Sequence, residues 1–357
     1  MLADNQASSP VHRFPSGGES GKFGKVIVLI NGSFPLELDW LKDPQYGVDA
    51  CLWIGNVGMS GITAVAKALV GEVNPSGRLT DTYVKDNFSS PAAASWRLQN
   101  GAGTFAGTYD KRELLSSETQ TRYGVYTEGI YVGYRYYETR YEDAVLGREG
   151  VGDFTYEGVV SRPFGYGLSY TTFAYRDYTI TETADGFEVA VTVTNTGAVP
   201  GKEVVQVYLQ KPYTDYDIET GVEKAAVELA GFAKTDALAP GESETVTVFV
   251  ERESFKTYDA YGYGTYILEP GPYCLALGSS AHDALNNILA AKGYTPADGM
   301  DRDGDPALAI LVGEDIELDT TTYAVSGETG AAITNRLGFA DINEYEEIGR
   351  ASCRERV

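Results

Sequence analysis

The chain contains two histidines, His12 and His282. Imidazole is the commonest general base in enzyme active sites, so each is a candidate catalytic residue. A Ser-His-Asp or Cys-His arrangement would need one of them beside a nucleophile. Both lie in segments whose sequence pattern is typical of loop or linker. We therefore predict that both are solvated surface histidines and that neither is catalytic.

Metal and cofactor chemistry has equally little support. The three cysteines, Cys51, Cys274 and Cys353, are too few and too scattered for a disulfide framework or a zinc site. The acidic turn DRDGD, residues 301–305, imitates the start of a calcium loop but lacks its later Gly and Glu. We expect a solvated turn there. The glycine-rich turn GNVGMSG, residues 55–61, has neither nucleotide-binding motif and is interpreted as structural. The sequence predicts no cofactor.

The composition is that of a folded and strongly acidic protein. Among 357 residues, 43% are hydrophobic and 22% are charged, and the formal net charge is −23. Nucleic acids and anionic membranes need a basic protein surface, so neither is an expected partner. No apolar run approaches the roughly 18 residues of a spanning helix. The first residues lack the basic and apolar regions of a secretory signal, which favours the cytoplasm if the gene begins there.

The first large part of the chain, residues 22–170, has an α/β pattern. KVIVLI at residues 25–30 and DACLWIG at residues 49–55 are continuous apolar runs. Such runs are typical of parallel strands that are buried on both faces. Residues 1–21 have no usable periodicity and are predicted to be an irregular lead-in.

Two helices are predicted between and after these strands. PLELDWL, residues 35–41, has Pro35 at a favourable helix start. Residues 59–70 have apolar side chains at helical spacing, and Gly71 provides a C-terminal stop. Strand and helix therefore alternate as in a βαβ unit.

After residue 173 the pattern changes to short strands in which every second side chain is apolar. Turns rich in Pro, Gly and Asn separate these strands, which predicts a β-sandwich over residues 171–280. ALNNILAAK, residues 284–292, then predicts a helix. The alternating apolar side chains are Phe187, Val189, Val191, Val193, Val205, Val207, Leu209, Val246, Val248 and Val250.

Tyrosines crowd the stretch between residues 126 and 173. A tyrosine has a large apolar face and one hydroxyl that needs a partner, so the run predicts a partly hydrated junction between packed units. Its two halves read EGIYVGYRYYETRYED and RPFGYGLSYTTF, and GEVNPSGRL precedes them at residues 71–79. All three resemble segments of glycoside hydrolase family 3 that close its α/β-sandwich domain and lead into a fibronectin-III-like domain.

The resemblance extends over most of the chain and implies a domain order. It implies α/β plus all-β architecture: a partial α/β-sandwich domain over residues 22–170, then a fibronectin-III-like β-sandwich over residues 171–280. Residues 281–346 resemble the connector of family members in which the (β/α)8 barrel comes last. We expect a fragment that lacks this barrel.

The resemblance also implies a chemistry, that of a retaining glycosidase acting on β-linked glucosides or xylosides. Such an enzyme needs two carboxylates about 5–5.5 Å apart. In the family, the nucleophile is an Asp on the barrel and the acid/base is usually a Glu early in the α/β-sandwich domain. Glu19 lies too close to the strand at Lys25 to match that loop. No catalytic residue can therefore be named, and sugar is expected to bind through the absent barrel.

Two other classes of function stay open. A non-catalytic binding or structural module that contains a fibronectin-III-like domain would have the same β-sandwich pattern. It would be expected to fold alone and to expose aromatic side chains. A nucleotide-binding α/β domain has only the βαβ pattern in its favour.

The last eleven residues, EIGRASCRERV at residues 347–357, differ from the rest of the chain. They contain three arginines and a lone cysteine at the end of an acidic protein. Back-translated, they resemble a sequencing adapter, and we predict a non-native tail; a genuine basic tail is the alternative.

A non-native tail should not pack on the folded chain. Deleting residues 347–357 should therefore change the free energy of unfolding by less than about 0.5 kcal/mol, as surface changes do. Thermal melts of the whole and shortened chains measure this. A clearly lower melting temperature after the deletion would favour the genuine basic tail.

Overall fold

The computed structural model describes residues 24–92, 105–106, 122–123 and 128–335. His12, Glu19, Cys353, the lead-in and the predicted tail lie outside these residues. The α-helices are α1 Ile62–Leu69, α2 Tyr134–Val145, α3 Tyr156–Val159, α4 Asp215–Thr220 and α5 Ala281–Ala291. The strands are β1 Ile27–Ile30, β2 Ala50–Trp53, β3 Tyr83–Val84, β4 Phe105–Ala106, β5 Arg122–Tyr123, β6 Val160–Arg162, β7 Phe173–Glu182, β8 Gly186–Asn195, β9 Val204–Gln210, β10 Glu228–Lys234, β11 Ser243–Glu251, β12 Thr257–Asp259, β13 Thr265–Ile267, β14 Tyr273–Gly278 and β15 Ala309–Val312.

The two predicted parallel strands are confirmed, but their predicted burial is wrong. β1 and β2 pair in parallel, with Ile27 opposite Ala50 and Ile30 opposite Trp53. Ile30 is buried, whereas Ile27 is 43% exposed and Leu29 is 38% exposed. Within the described residues these strands form a two-stranded sheet, so there are too few neighbouring elements to cover both of its faces.

The helix predicted at residues 35–41 is also wrong. Two short 3₁₀ helices, Asp39–Lys42 and Pro44–Tyr46, occupy this region instead. Residues 35–38 have no regular structure, and Leu38 has φ of −111° and ψ of 9°, outside the α-helical range. A continuous helix over residues 35–41 therefore does not form.

The helix predicted at residues 59–70 is confirmed as α1. Val65 and Ala68 are buried, and the helix ends just before Gly71. Gly71 has φ of 79°, a left-handed conformation that glycine adopts without steric cost.

The predicted β-sandwich is confirmed, and its strands form two sheets. Among the described residues, one sheet has the order β11-β8-β7 and the other the order β10-β9-β14-β15. The predicted alternating side chains, for example Val191 and Val207, pack between the two sheets with almost no exposure. Burying a Val or Leu side chain completely contributes about 1.5–3 kcal/mol, so this core is the main stabilising feature of the second half.

The chain beyond residue 280 packs against the same sheet. β15 pairs antiparallel with β14, and α5 lies against the face of the sheet opposite the sandwich core. The helix predicted at residues 284–292 is confirmed, and it begins at residue 281 because the Ser280 side chain caps it. The predicted domain limits, including the connector at residues 281–346, stay a prediction. Among the described residues no helix is both long and apolar enough to span a membrane.

The exposed face of β1 leads to a prediction about association. Ile27 and Leu29 point to the same face because strand side chains alternate. Replacing both by threonine should reduce self-association of the chain in sedimentation velocity, since an exposed apolar strand favours pairing with other chains. The matched control is Ile30→Thr on the buried face, which should lower the free energy of unfolding by about 2 kcal/mol. Unchanged association of the double variant would contradict this interpretation.

Candidate functional site

The GEVNPSGRL and RPFGYGLSYTTF motifs contact each other in the folded chain. We call this contact region the junction and define it as residues 74–79 and 165–170 with Tyr175, Glu203 and Gln206. At its centre, the Asn74 side-chain oxygen accepts hydrogen bonds from Ser169 Oγ at 3.0 Å and from the Tyr170 amide at 2.8 Å. Its amide nitrogen donates to the Pro200 carbonyl at 3.0 Å. One asparagine thus joins the GEVNPSGRL loop both to residues 165–170 and to the sandwich.

Glycines permit the two motif loops of the junction to approach closely. The Leu79 amide donates to the Tyr166 carbonyl at 2.8 Å, and the Gly165 amide donates back to the Leu79 carbonyl at 2.8 Å. A Cβ on Gly167 would lie 2.4 Å from the Gly77 carbonyl oxygen. Only a residue without a side chain fits at that position.

A buried guanidinium completes the junction. Arg78 donates to the Glu203 carboxylate and to the Gly167 carbonyl, and its side chain is only 13% exposed. The Tyr175 hydroxyl donates to the same carboxylate at 3.2 Å. Burial, and then the Glu203 charge, raises the pKa of Tyr175 well above its ordinary value, so this phenol stays a donor.

The tyrosine-rich helix α2 packs onto the sandwich as the tyrosine run predicted. The Tyr134 ring stacks on Phe164 with 4.4 Å between centroids, and its hydroxyl accepts from the Leu229 amide at 2.9 Å. Thr139 Oγ1 accepts from the Ala226 amide at 3.0 Å. These contacts combine apolar ring faces with individually paired polar groups, which is what a tyrosine-rich interface provides.

The prediction of a solvated His282 is wrong. Its side chain is completely buried, with Glu138 2.8 Å from Nδ1 and Asp301 2.9 Å from Nε2. The predicted solvated turn at residues 301–305 is wrong at Asp301, whose side chain is 22% exposed and also contacts Tyr141. The described residues contain no group of acidic, His and Cys side chains arranged to hold a metal ion.

A sequence signal for the position of His282 was available. Ser280 and Asp283 match the [ST]-x-x-[DE] pattern that marks a helix N-terminus. In the structure Ser280 Oγ accepts from the Asp283 amide at 3.1 Å, so His282 lies in the first turn of α5. That pattern would have placed the histidine on a helix and not in a linker.

A second buried cluster brings two carboxylates together around a lysine. Lys224 Nζ lies 2.7 Å from Asp217 and 2.5 Å from Glu269, and all three side chains are at most 3% exposed. Burial raises the pKa of Glu269 despite the adjacent lysine. A glycosidase pair must reach a sugar, and these carboxylates are sealed from solvent, as is Glu138 beside His282. Both clusters hold the fold together.

The carboxyl ends of β1 and β2 form the open edge of the α/β part. Trp53 Nε1 donates to the Gly32 carbonyl at 2.9 Å, and Asn56 Nδ2 donates to Ser33 Oγ at 2.5 Å. Phe34 beside them is 78% exposed. In open α/β sheets this is the edge at which ligands bind. Polar side chains and an exposed aromatic ring are the groups that a sugar can contact.

These features define a class of protein: an α/β unit fused to a fibronectin-III-like sandwich through a motif-built junction. Two family models match this chain. The glycosyl hydrolase family 3 C-terminal domain matches residues 20–134, and the fibronectin type III-like domain matches residues 203–281. The chain belongs to glycoside hydrolase family 3.

Curated relatives agree with this membership. The chain is 36% identical to beta-glucosidase A of Butyrivibrio fibrisolvens over 73% of its length and 29% of that protein. It is 32% identical to thermostable beta-glucosidase B of Acetivibrio thermocellus over 90% of its length and 36% of that protein. It is also 32% identical to an exo-alpha-(1->6)-L-arabinopyranosidase of Bifidobacterium breve over 74% of its length and 29% of that protein. The chain thus spans about a third of the length of these relatives.

A solved structure gives the same result. A beta-glucosidase from Paenibacillus barengoltzii superimposes with a TM-score of 0.56 at 34% identity. The match covers 73% of this chain and 25% of that one. The α/β and fibronectin-III-like parts therefore correspond in fold to parts of a larger β-glucosidase.

The buried arginine of the junction should be essential for stability. Replacing Arg78 by methionine leaves Glu203 buried without its cation, which should lower the free energy of unfolding by about 3 kcal/mol. Urea denaturation at neutral pH measures the change. The matched control is Lys25→Met, which removes an exposed pair with Asp49 at 3.8 Å and should cost less than about 1 kcal/mol. Equal effects of the two substitutions would contradict the role of the junction.

Proposed function

We propose that this chain is the accessory part of a retaining glycoside hydrolase that acts on β-linked glucosides or xylosides. The contact between the GEVNPSGRL and PFGYGLSY motifs carries this proposal, because it explains through Asn74 and Arg78 why both motifs occur in one chain. The β-glucosidase names of the relatives support the substrate class. In the complete protein, a barrel outside these 357 residues supplies the nucleophile and most of the sugar contacts.

The accessory part has two tasks in this proposal. The open edge after β1 and β2, with Ser33, Phe34 and Asn56, forms one wall of the sugar site opposite the barrel. The junction fixes the orientation of that wall relative to the sandwich, since Asn74 and Arg78 both bridge the two units. A wall held rigidly keeps contacts to the sugar within the small tolerance that catalysis requires.

The isolated chain should not hydrolyse glycosides. Retaining catalysis needs two carboxylates acting on one bond, and removal of one member of a catalytic unit already removes most of the rate. The carboxylates of Asp217 and Glu269 beside Lys224, and that of Glu138 beside His282, are sealed from solvent.

The test compares the chain with the complete gene recovered from flanking DNA. Both are assayed against aryl β-glucoside, aryl β-xyloside and aryl α-L-arabinopyranoside, the last because one relative has that activity. We expect turnover of a β-glucoside or β-xyloside by the complete protein and none by the isolated chain. Turnover by the isolated chain would show that these 357 residues contain a complete active site, which would contradict the proposal. A complete gene without a barrel would overturn the proposal.

One observation favours the alternative of a binding module. Tyr261 and Tyr263 are about half exposed on the turn between β12 and β13. Buried Asp259 fixes this turn because its carboxylate accepts hydrogen bonds from the backbone amides of Gly262 and Tyr263, each at 2.7 Å. Exposed and rigid tyrosines suit carbohydrate stacking. Retention of the chain on an insoluble β-glucan, combined with a complete gene that lacks a barrel, would favour this alternative.

A further inference from the structure

The buried imidazole of His282 contacts an acidic group on each side. Nδ1 lies 2.8 Å from Glu138 Oε2 on helix α2, and Nε2 lies 2.9 Å from Asp301 Oδ2 on the turn after α5. The two carboxylates are therefore bridged by one ring, and they come from segments far apart in the sequence. Glu138 is 144 residues before the histidine.

This geometry determines the charge on the ring. A carboxylate oxygen only accepts hydrogen bonds, so each ring nitrogen must donate. A neutral imidazole has a single N–H and would turn a lone pair toward the second carboxylate. When both carboxyl groups are ionised, only the imidazolium ion satisfies both contacts, because both of its nitrogens donate.

The remaining neighbours of His282 keep the ring in place. Tyr156 of α3 stacks on the imidazole with centroids 3.5 Å apart and planes 8° apart, and its hydroxyl donates to Glu138 Oε1 at 2.5 Å. Tyr141 of α2 lies on another side of the ring, 4.6 Å away between centroids. Its hydroxyl accepts from the Asp301 amide at 2.8 Å and lies 2.8 Å from Asn286 Oδ1.

The outer charges of the cluster are also paired. Arg302 lies 3.3 Å from Asp301 and 3.2 Å from Asp283 on α5. Two cations, His282 and Arg302, thus face three carboxylates, and Tyr208 of β9 adds a buried phenol whose pKa burial and the nearby charges raise. Loss of the imidazolium charge would leave buried Glu138 without a cation beside it.

We propose that protonated His282 is an alkali-sensitive lock that holds α5 and the turn at Asp301 against helix α2. When the proton is lost, a lone pair faces one of the two carboxylates, and the contact between these elements weakens. The lock lies between the tyrosine-rich helix and the segment that follows the sandwich sheet. Alkaline pH should therefore loosen this segment before it unfolds the sandwich core.

The pH range follows from the electrostatics of the site. Burial alone would lower the pKa of His282, but Glu138 and Asp301 outweigh it and raise the value to about 9 from 6.5. The folded state then binds the proton more tightly than the unfolded state. The stabilisation is fully present below pH 6.5, declines as pH rises, and is lost above about 9. The corresponding loss in the folding equilibrium is on the order of 100-fold.

Nuclear magnetic resonance of the imidazole tests the charge directly on the intact chain. The chain has only two histidines, so a His12→Gln variant leaves His282 as the single imidazole signal. We expect both ring nitrogens to be protonated at pH 7.5 and to titrate near pH 9. A neutral tautomer at pH 7.5, or a midpoint near 6.5, would overturn the proposal.

Hydrogen exchange of the α5 amides tests the lock. After correction for intrinsic exchange rates, opening of residues 284–290 should rise at least about tenfold between pH 7.5 and 10. The rise should be absent in His282→Gln, because the glutamine side chain does not titrate. Asp301→Asn should lower the imidazole midpoint by about one unit, whereas the matched Asp283→Asn should change it less, because Asp283 contacts Arg302 and Ser279 and not the imidazole. Equal pH responses of wild type and His282→Gln would refute the lock; if that variant does not fold, the imidazole titration and Asp301→Asn still decide.

Discussion

Burial of the Arg78 guanidinium is the constraint on which the contact between the two halves depends. A buried charge is tolerated only with a partner charge and satisfied hydrogen bonds. Glu203 of the sandwich supplies the partner charge and the Gly167 carbonyl supplies a second acceptor, so three parts of the chain must meet at one point. Glycine at position 167 is a consequence of this requirement, because a Cβ there would lie 2.4 Å from the Gly77 carbonyl oxygen and would keep the two backbones apart. The residues of the two motifs therefore occur together because they form one packing arrangement.

Stability is distributed unevenly on the two sides of the junction. In the sandwich, side chains such as Val191 and Leu275 are fully buried between paired sheets. Among the residues of the α/β part that the structure describes, β1 and β2 form a two-stranded parallel sheet with exposed apolar side chains. A parallel pair is normally covered on both faces, so this half gains less from burial. We infer that local unfolding begins at β1 and β2 and that the sandwich core opens last.

The sequence allowed correct prediction wherever a feature depends on neighbouring residues. Alternation from Phe187 to Val193 predicted a strand with one buried face, and helical spacing before Gly71 predicted α1. Predictions failed where the outcome depends on distant segments. The burial of β1 depends on how many strands surround it, and the environment of His282 is supplied by Glu138, 144 residues away. Of the junction, the motifs could be recognised from sequence, but the pairing of Arg78 with Glu203 could not.

Buried cations connect the parts of this acidic chain. Acidic residues outnumber basic ones by 51 to 28. Carboxylates are therefore common throughout the chain, and the presence of one does not by itself indicate which parts of the chain are in contact. Three cations of low exposure among the described residues are more selective: Arg78 contacts Glu203, Lys224 contacts Asp217 and Glu269, and His282 contacts Glu138 and Asp301. Losing a buried cation leaves carboxylates unpaired in a medium of low dielectric, which is strongly destabilising. Arginine keeps its charge at every accessible pH and lysine to high pH, whereas imidazole does not. Of these three connections, the one at His282 is therefore the one that pH can release.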